Sequence, residues 1–169
     1  MTSAPVPIPA GLRIERRPIT HPDAHRLVEE VQQEYVVRYG GRDETPLEPA
    51  YFEAPHGAFF VGYLGEEPVA TGAWRMRSDV VVEGRSRSAE IKRMYVAAPG
   101  RRRGLARRML AHLESTARLA GAEVMVLETG DRQPEAIALY ESAGYLAVPG
   151  FGFYRDSPVN RCFARLLTP

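Results

Sequence analysis

The chain has 169 residues, and 22 lysine and arginine residues against 21 aspartate and glutamate residues give it a formal net charge of +1. This near-neutral total excludes bulk electrostatic attraction to nucleic acid or to an anionic membrane. The single cysteine excludes an internal disulfide framework and a cysteine-rich zinc site, and no apolar run is long enough to span a membrane. Together with an N-terminus that lacks a signal-peptide pattern, these features predict one cytoplasmic domain that acts as an enzyme or a binding module.

The basic residues are concentrated in one segment. Residues 85–108 contain nine basic residues and one acidic residue, Glu90, so this segment carries +8 and the remainder of the chain −7. Two interpretations of the segment remain open, namely a local site for an anion and a solvated arginine-rich face.

The spacing of apolar residues predicts a single α/β domain built around one mixed sheet. Residues 1–10, with three prolines, are expected to form a flexible tail ahead of the domain at residues 11–169. A capping box at Thr20 and Asp23 is expected to open the first helix, which ends at Gly40. The predicted elements, in chain order, are strand 12–16, a helix around 24–35, strands 58–64, 69–76 and 89–96, a helix around 105–117, strand 124–127, a helix at 134–143, and strands 145–148 and 161–167.

One segment combines the end of a strand, a tight loop and a helix start. After Val96 the chain reads Ala-Ala-Pro-Gly-Arg-Arg-Arg-Gly-Leu-Ala-Arg-Arg over residues 97–108, and an amphipathic helix follows. The first N–H groups of a helix lack partners and lie at the positive end of its dipole, and Gly104 leaves room for an anion beside them. The segment therefore predicts a cradle for a pyrophosphate, although it matches neither the Walker loop nor the dinucleotide-binding fingerprint.

This loop resembles the pyrophosphate-binding loop of the GNAT superfamily of N-acetyltransferases, in particular its small, single-domain bacterial members. Residues 101–106 fit the family pattern Arg/Gln-x-x-Gly-x-Gly/Ala. Residues 133–145 are similar to the family block Asn-x-x-Ala-x-x-Leu-Tyr-x-x-x-Gly-Phe/Tyr, with Gln133 where asparagine is usual. The resemblance covers about residues 12–167 and is specific over residues 89–145.

The resemblance implies the GNAT fold, a mixed and splayed sheet of about six to seven strands flanked by about four helices. It also implies acetyl-CoA as the co-substrate, no metal, and direct transfer of the acetyl group to an amine. The strands at 89–96 and 124–127 would run parallel and separate at their ends, which exposes backbone groups to the pantetheine. The residues implied to bind acetyl-CoA are Met94, Tyr95, Val96, Arg101, Arg102, Arg103, Gly104, Leu105, Ala106, Arg107 and Gln133.

Two residues are candidates for the chemistry. The family pattern implies that the Tyr140 hydroxyl approaches the coenzyme A sulfur and acts as a general acid, and the alternative is a tyrosine of the hydrophobic core. Glu90 is the candidate general base, and the alternative is a salt bridge with Lys92 or a nearby arginine. Strand alternation is expected to place Glu90, Lys92, Met94 and Val96 on one face of the sheet.

The acceptor amine is expected to enter beside the splay, between the first helix with its loop and a late loop at residues 151–155. The helix offers Tyr35 and Tyr39, and the loop at 41–57 includes a short helix near residues 49–52. The acidic residues of that loop either attract a cationic amine or form a solvated acidic surface; they include Glu44, Glu48 and Glu53.

The histidines and the cysteine are not expected to form a metal or nucleophilic site. His21 and His25 lack a third ligand at metal-binding spacing, so surface positions near a helix start are expected for both. His56 precedes a strand, where the implied fold often places residues of the acceptor site. Cys162 lies in an alternating strand and is expected to be a buried, inert thiol.

Three functions remain open from the sequence. The first is acetylation of the primary amine of a small molecule or amino acid. The second is acetylation of a protein N-terminus or lysine, which needs an open groove for a peptide. The third is a non-enzymatic nucleic-acid binder, which needs basic and aromatic residues interleaved along an exposed face. No nucleic-acid or membrane partner is expected, and the resemblance is compatible with a homodimer.

Overall fold

The computed structural model describes residues 11–167, so the predicted tail at residues 1–10 lies outside the described residues, as do residues 168 and 169. The strands are β1 (Arg13–Arg16), β2 (Gly57–Leu64), β3 (Glu67–Met76), β4 (Ser88–Val96), β5 (Val124–Gly130), β6 (Leu146–Val148) and β7 (Asn160–Leu166). The helices are α1 (Pro22–Tyr39), α2 (Leu105–Leu119) and α3 (Pro134–Ser142), with short 3-10 helices at Pro49–Phe52 and Ala98–Gly100.

The seven strands form one mixed sheet in the order β1-β2-β3-β4-β5-β7-β6. Only β4 and β5 pair in parallel, because α2 forms the crossover between them, and the other neighbouring strands pair antiparallel. The predicted mixed α/β fold is therefore confirmed. Where about four helices were expected, the described residues form three α-helices and two 3-10 helices.

The first helix begins one residue later than the capping box predicted from Thr20. Its N-cap is His21, whose Nδ1 accepts a hydrogen bond from the Asp23 backbone N–H at 3.1 Å. Pro22 occupies the first helical turn, where its fixed φ and missing N–H are well tolerated. The Asp23 carboxylate instead accepts the Tyr63 hydroxyl at 2.7 Å, so the prediction of a Thr20–Asp23 capping box was wrong.

The two faces of the sheet carry separate apolar layers. The predicted stripe of α2 is confirmed, since its buried residues are Leu105, Met109, Leu110, Leu113 and Ala117. This stripe packs on Phe60, Trp74 and Ile91, whereas α1 packs Leu27 on Phe59 at the opposite face. The sheet is thus covered on both sides, and burial of β5 over residues 124–127 agrees with the prediction for that strand.

A β-bulge in β4 overturns the predicted alternation of that strand. Ala73 of β3 pairs with Lys92 and Thr71 pairs with Tyr95, so two residues of β4 lie opposite one residue of β3. Arg93 has a φ of 51°, and its carbonyl accepts the Thr71 hydroxyl at 2.7 Å. The extra residue reverses the order of the faces beyond this point, because a bulge shifts the period of two by one residue.

The bulge changes which residues of β4 share a face of the sheet. Met94 and Val96 pack with Ile91 in the layer beneath α2, and Tyr95 packs in the layer beneath α1. Met94 and Val96 therefore do not share a face with Glu90 and Lys92, as strand alternation alone had predicted.

The parallel pair β4 and β5 separates after three residue pairs. Pairing runs from Ser88 opposite Val124 to Glu90 opposite Val126 and then stops. Beyond that point β4 remains paired with β3, and β5 remains paired with β7. The facing edges of both strands are thus left without a neighbouring strand, which is the splay expected from the resemblance.

Leu113→Ala should destabilise the fold by about 2–5 kcal/mol, because it opens a cavity where α2 packs on the sheet. The Leu113 side chain is fully buried in the same layer as Trp74, the single tryptophan of the chain, so urea unfolding can be followed by Trp74 fluorescence. Leu119→Ala is the matched control, because Leu119 belongs to the same helix and is 86% exposed. Equal midpoints for the two variants would contradict the assigned packing of α2.

Candidate active site

The loop between β4 and α2 presents an uncapped helix start. Gly104 is the N-cap of α2, with a φ of 72° and no side-chain capping bond. This left-handed conformation favours glycine, and a Cβ built at Gly104 would meet no atom within 4 Å, so the surrounding space is open. The first N–H groups of α2 therefore lack a side-chain acceptor, which is the arrangement that binds anions at helix N-termini.

The arginines around this loop divide into two groups. Arg101 pairs with Glu34 of α1, and its Nε donates to the Val96 carbonyl at 3.0 Å. Arg107 donates to the Ser142 hydroxyl at 2.6 Å. Within residues 11–167, Arg102 and Arg103 are exposed and make neither ion pairs nor hydrogen bonds through their side chains. The second group is therefore the one that is available to an anion.

The remaining predicted cofactor residues lie at the end of β4, at the start of α2 and at the start of α3. Met94, Tyr95 and Val96 form the end of β4, and the Leu105 side chain is buried against the sheet, so Leu105 can offer an anion only its backbone. Ala106 follows it in the first turn of α2. Gln133 is the N-cap residue of α3, and its side-chain amide donates to the Tyr39 hydroxyl at 3.4 Å.

Tyr140 lies in α3 with only 6% of its surface exposed, in the apolar layer beneath α2. Its ring meets the Tyr145 ring edge-on, with centroids 5.6 Å apart. Burial raises the pKa of the Tyr140 phenol, and the neighbouring Tyr35 adds to this shift. The hydroxyl is therefore protonated throughout the neutral pH range, as a proton donor must be.

Glu90 is fully buried and held by three cations. Its Oε1 accepts hydrogen bonds from Arg75 Nε at 3.0 Å and from Arg77 at 2.8 Å, and its Oε2 lies 3.4 Å from Lys92 Nζ. Of the two interpretations left open for Glu90, the structure thus shows the salt bridge. A general base must be reached by its substrate, and this carboxylate is covered by its partners.

A cavity of about 410 Å³ opens on the α1 face of the sheet at the splay. The end of α1, the loop at 40–45, the end of β5 and the loop at 154–160 all contribute to its wall. The structure thus brings together Tyr35, Tyr39 and Glu44 from the region predicted to receive the acceptor. Glu48, Glu53 and His56 do not line this cavity.

Glu128 is a candidate site residue that was not predicted from the sequence. Its carboxyl group lines the cavity, close enough to Gly152 that a Cβ on that glycine would lie 2.2 Å from Glu128 Oε2. Burial raises the pKa of this carboxyl, although Lys92 and the Tyr154 backbone N–H act in the opposite direction. An acidic residue that directly follows the buried apolar run at 124–127 is the signal in the sequence that could have identified it.

An ion pair between Arg93 and Asp43 fixes the loop after α1, and Asp43 lines the cavity. Arg93, at the bulge of β4, donates to the Asp43 carboxylate at 2.6 Å. Asp43 is also fixed by Gln32, whose side chain accepts the Asp43 backbone N–H at 2.8 Å. The bulge therefore turns Arg93 towards the loop after α1 and holds that loop beside the cavity.

The histidines and the cysteine occupy positions outside this cavity. His21 caps α1, and His25 and His56 are exposed. Cys162 is buried in β7, and burial raises the pKa of its thiol. Among residues 11–167 no group of three or more histidine, cysteine, aspartate or glutamate side chains is arranged to hold a metal ion. No helix in this part of the chain is long and apolar enough to cross a membrane.

A splayed mixed sheet with an uncapped helix start beside the gap defines an acyl-CoA-dependent acyltransferase fold. Residues 25–145 match the acetyltransferase (GNAT) family. The chain is 29% identical over 135 residues to an IAA acetyltransferase of Azospirillum brasilense, with 80% of this chain and 84% of that protein covered. The chain therefore belongs to the GNAT family of acetyltransferases, enzymes that use acetyl-CoA as their co-substrate.

Solved structures agree with this assignment. A crystal structure from Klebsiella pneumoniae, described as an acyl-CoA N-acyltransferase, superposes with a TM-score of 0.71 at 26% identity and covers 93% of this chain and 98% of that chain. A GNAT-family acetyltransferase of Staphylococcus aureus superposes with a TM-score of 0.71 at 17% identity, over 94% of this chain and 100% of that chain. The latter likeness concerns the fold alone.

Proposed function

We propose that this enzyme acetylates the primary amine of a small molecule or an amino acid. The observation that carries this proposal is the bridge across the cavity. The Glu44 backbone N–H donates to the Tyr154 hydroxyl at 2.8 Å and thereby joins the loop after α1 to the late loop. A protein N-terminus or lysine would need an open groove between these two loops, so the bridge favours a compact acceptor over a peptide.

Two further bonds join the end of α1 to the segment between β5 and α3. Arg38 of α1 donates to the Arg132 carbonyl at 2.9 Å, and Arg132 donates back to the Arg38 carbonyl at 2.8 Å.

The alternative of a nucleic-acid binder finds less support, because Arg101 and Arg107 are engaged in internal contacts and do not form an exposed basic stripe.

The loop before α2 fits the pyrophosphate of acetyl-CoA. The backbone N–H groups at the start of α2 would receive it, and Arg102 and Arg103 would add full positive charge. The free edge of β4 at Met94, Tyr95 and Val96 would pair with the pantetheine amides as another strand would. Arg101 would act differently, by fixing the loop to α1 through Glu34.

The bound co-substrate supplies an acetyl thioester, and the chain must supply a base for the amine and a donor for the sulfur. We assign the donor to Tyr140 on the family pattern: its buried phenol remains protonated and lies near Tyr35, which lines the cavity, although Tyr140 itself does not. We assign the base to Glu128 instead of Glu90, because Glu128 lines the cavity and Glu90 does not. Glu90 would hold Arg75, Arg77 and Lys92 in place beneath the site.

Acetyl-CoA should raise the melting temperature of the protein by ligand linkage, and Gly104→Glu should abolish this rise. The substitution brings bulk and negative charge to the helix start that receives the pyrophosphate. Gly121→Glu is the matched control, because Gly121 also has a positive φ, of 101°, and lies beyond the other end of α2. A normal shift in the Gly104 variant would refute the assignment of this loop.

Tyr140→Phe should lower kcat by about 100-fold, the effect expected for loss of a general acid, with KM for acetyl-CoA nearly unchanged. Steady-state release of free coenzyme A measures both constants. Tyr145→Phe removes the other buried hydroxyl of the same ring pair, which donates to Glu114 at 3.1 Å, and it should retain kcat. Similar kcat values for the two variants would reduce Tyr140 to a packing residue.

The activity should rise with pH as the Glu128 carboxyl loses its proton, because a base accepts a proton only in its ionised form. Since burial raises the pKa of Glu128, this limb should lie above the usual range for a glutamate. Glu128→Gln should remove the limb and lower kcat/KM by about 100-fold. Glu123→Gln, just before β5, is the control and should keep the wild-type profile. An unchanged acidic limb in the Glu128 variant would exclude Glu128 as the base.

A further inference from the structure

Lys92 is the single lysine of the chain, and it is buried at the wall of the acceptor cavity with 9% of its surface exposed. Its Nζ lies 3.4 Å from Glu90 Oε2, yet that oxygen receives no hydrogen bond. The other carboxylate oxygen of Glu90 is occupied by Arg75 and Arg77. Within the part of the chain that the structure describes, the Lys92 ammonium thus has a nearby counter-charge and no hydrogen-bond acceptor.

The charged groups around Lys92 form one connected set. Glu90 is shared by three cations, one of which, Arg77, also pairs with Asp79. The neighbouring Arg93 is paired with Asp43. With Glu128, which lines the same cavity, the four cations of this set are matched by four carboxylates, so the set is neutral overall. Lys92 nevertheless has no hydrogen-bond acceptor of its own, and a carboxylate that enters the cavity would supply one.

Glu128 does not fill this role, although it lines the same cavity. No ion pair joins Glu128 to Lys92, and burial raises the pKa of the Glu128 carboxyl despite the nearby lysine. The cavity therefore offers a cation and a proton-accepting carboxyl as separate groups. This arrangement is complementary to a molecule that carries an amine and a carboxylate.

We propose that the acceptor is a free amino acid, whose carboxylate binds the Lys92 ammonium while its amine faces Glu128. This inference rests on the proposed function and specifies the acceptor class of the same site. A peptide N-terminus would offer Lys92 only a neutral carbonyl, which binds an ammonium more weakly than a carboxylate does. Lys92 is thereby a residue that determines specificity.

Kinetics with matched acceptors test this assignment. A panel of free amino acids, each paired with its own carboxamide, is assayed with acetyl-CoA by the release of free coenzyme A. The wild-type enzyme should prefer the acid form of its best acceptor by about 30-fold or more in kcat/KM, as expected for a desolvated charge pair. A carboxamide or a dipeptide used as well as the free amino acid would overturn the proposal.

At a pH above the Glu128 limb, Lys92→Met should raise KM for the amino acid by about 30-fold and have a much smaller effect on kcat/KM for its carboxamide. Glu90 retains Arg75 and Arg77 in this variant, and the melting temperature with acetyl-CoA verifies that the fold and the cofactor loop remain intact. Lys92→Arg, which keeps the positive charge, should recover part of the discrimination. Arg118→Met, which removes an exposed cation of α2, is the matched control. An equal loss for acid and carboxamide in Lys92→Met would refute a role in recognition of the carboxylate.

A binding measurement separates this inference from the proposed function. Incorporation of ¹³C-lysine gives a single side-chain spin system, because the chain contains one lysine. The N-acetylated form of the amino acid should shift the Lys92 signal, and its carboxamide should not. Turnover of amines without this shift would leave the acetyltransferase intact and reject the amino-acid assignment. Absence of turnover for every amine, together with a silent Lys92 signal, would reject both.

Discussion

The end of parallel pairing between β4 and β5 is the constraint on which the site depends. Pairing stops at Glu90 opposite Val126, and the buried carboxylate of Glu90 binds Arg75 and Arg77 of the preceding strand and its loop at that position. Buried charges need several partners, and these side chains tie β3 to β4 where the support of β5 ends. The gap between β4 and β5 beyond this point can therefore remain open while β4 stays paired with β3.

The bulge at Arg93 determines what faces that gap. It follows directly after Lys92, so Lys92 remains on the α1 face while Met94 and Val96 turn towards α2. A strand of regular alternation would have placed Met94 on the cavity side. The inserted residue thus places Lys92 of β4 at the cavity and places Met94 and Val96 of the same strand in the apolar layer beneath α2.

The sequence is sufficient to predict those features that depend on local order. The strand, loop and helix around Gly104 are contiguous, and the apolar stripe of α2 repeats at helical spacing, so both could be predicted correctly. The bulge could not, because it depends on the register between β3 and β4. The approach of Gly152 and the late loop to Glu128 likewise exists only in the folded chain. Arg101 was expected at the pyrophosphate, and only the fold reveals its pairing with Glu34, which is distant in sequence.

Helix α1 joins the two halves of the site. Glu30 and Glu34 are one turn apart and bind Tyr95 and Arg101 at the cofactor loop. Tyr35 and Tyr39, on the adjacent face of the same helix, line the cavity at the splay. Side chains four residues apart project in the same direction, so a single rigid helix can fix both pairs at once.

The excess positive charge of residues 85–108 is distributed over several positions of the fold. Arg93 and Arg101 are paired with acidic residues of α1 and its loop, Arg102 and Arg103 are exposed at the helix start, and Lys92 lines the cavity. The near-neutral net charge of the whole chain therefore conceals two cationic positions, an exposed one at Arg102 and Arg103 that we propose for a pyrophosphate and one at Lys92 in the cavity that we propose for a single carboxylate.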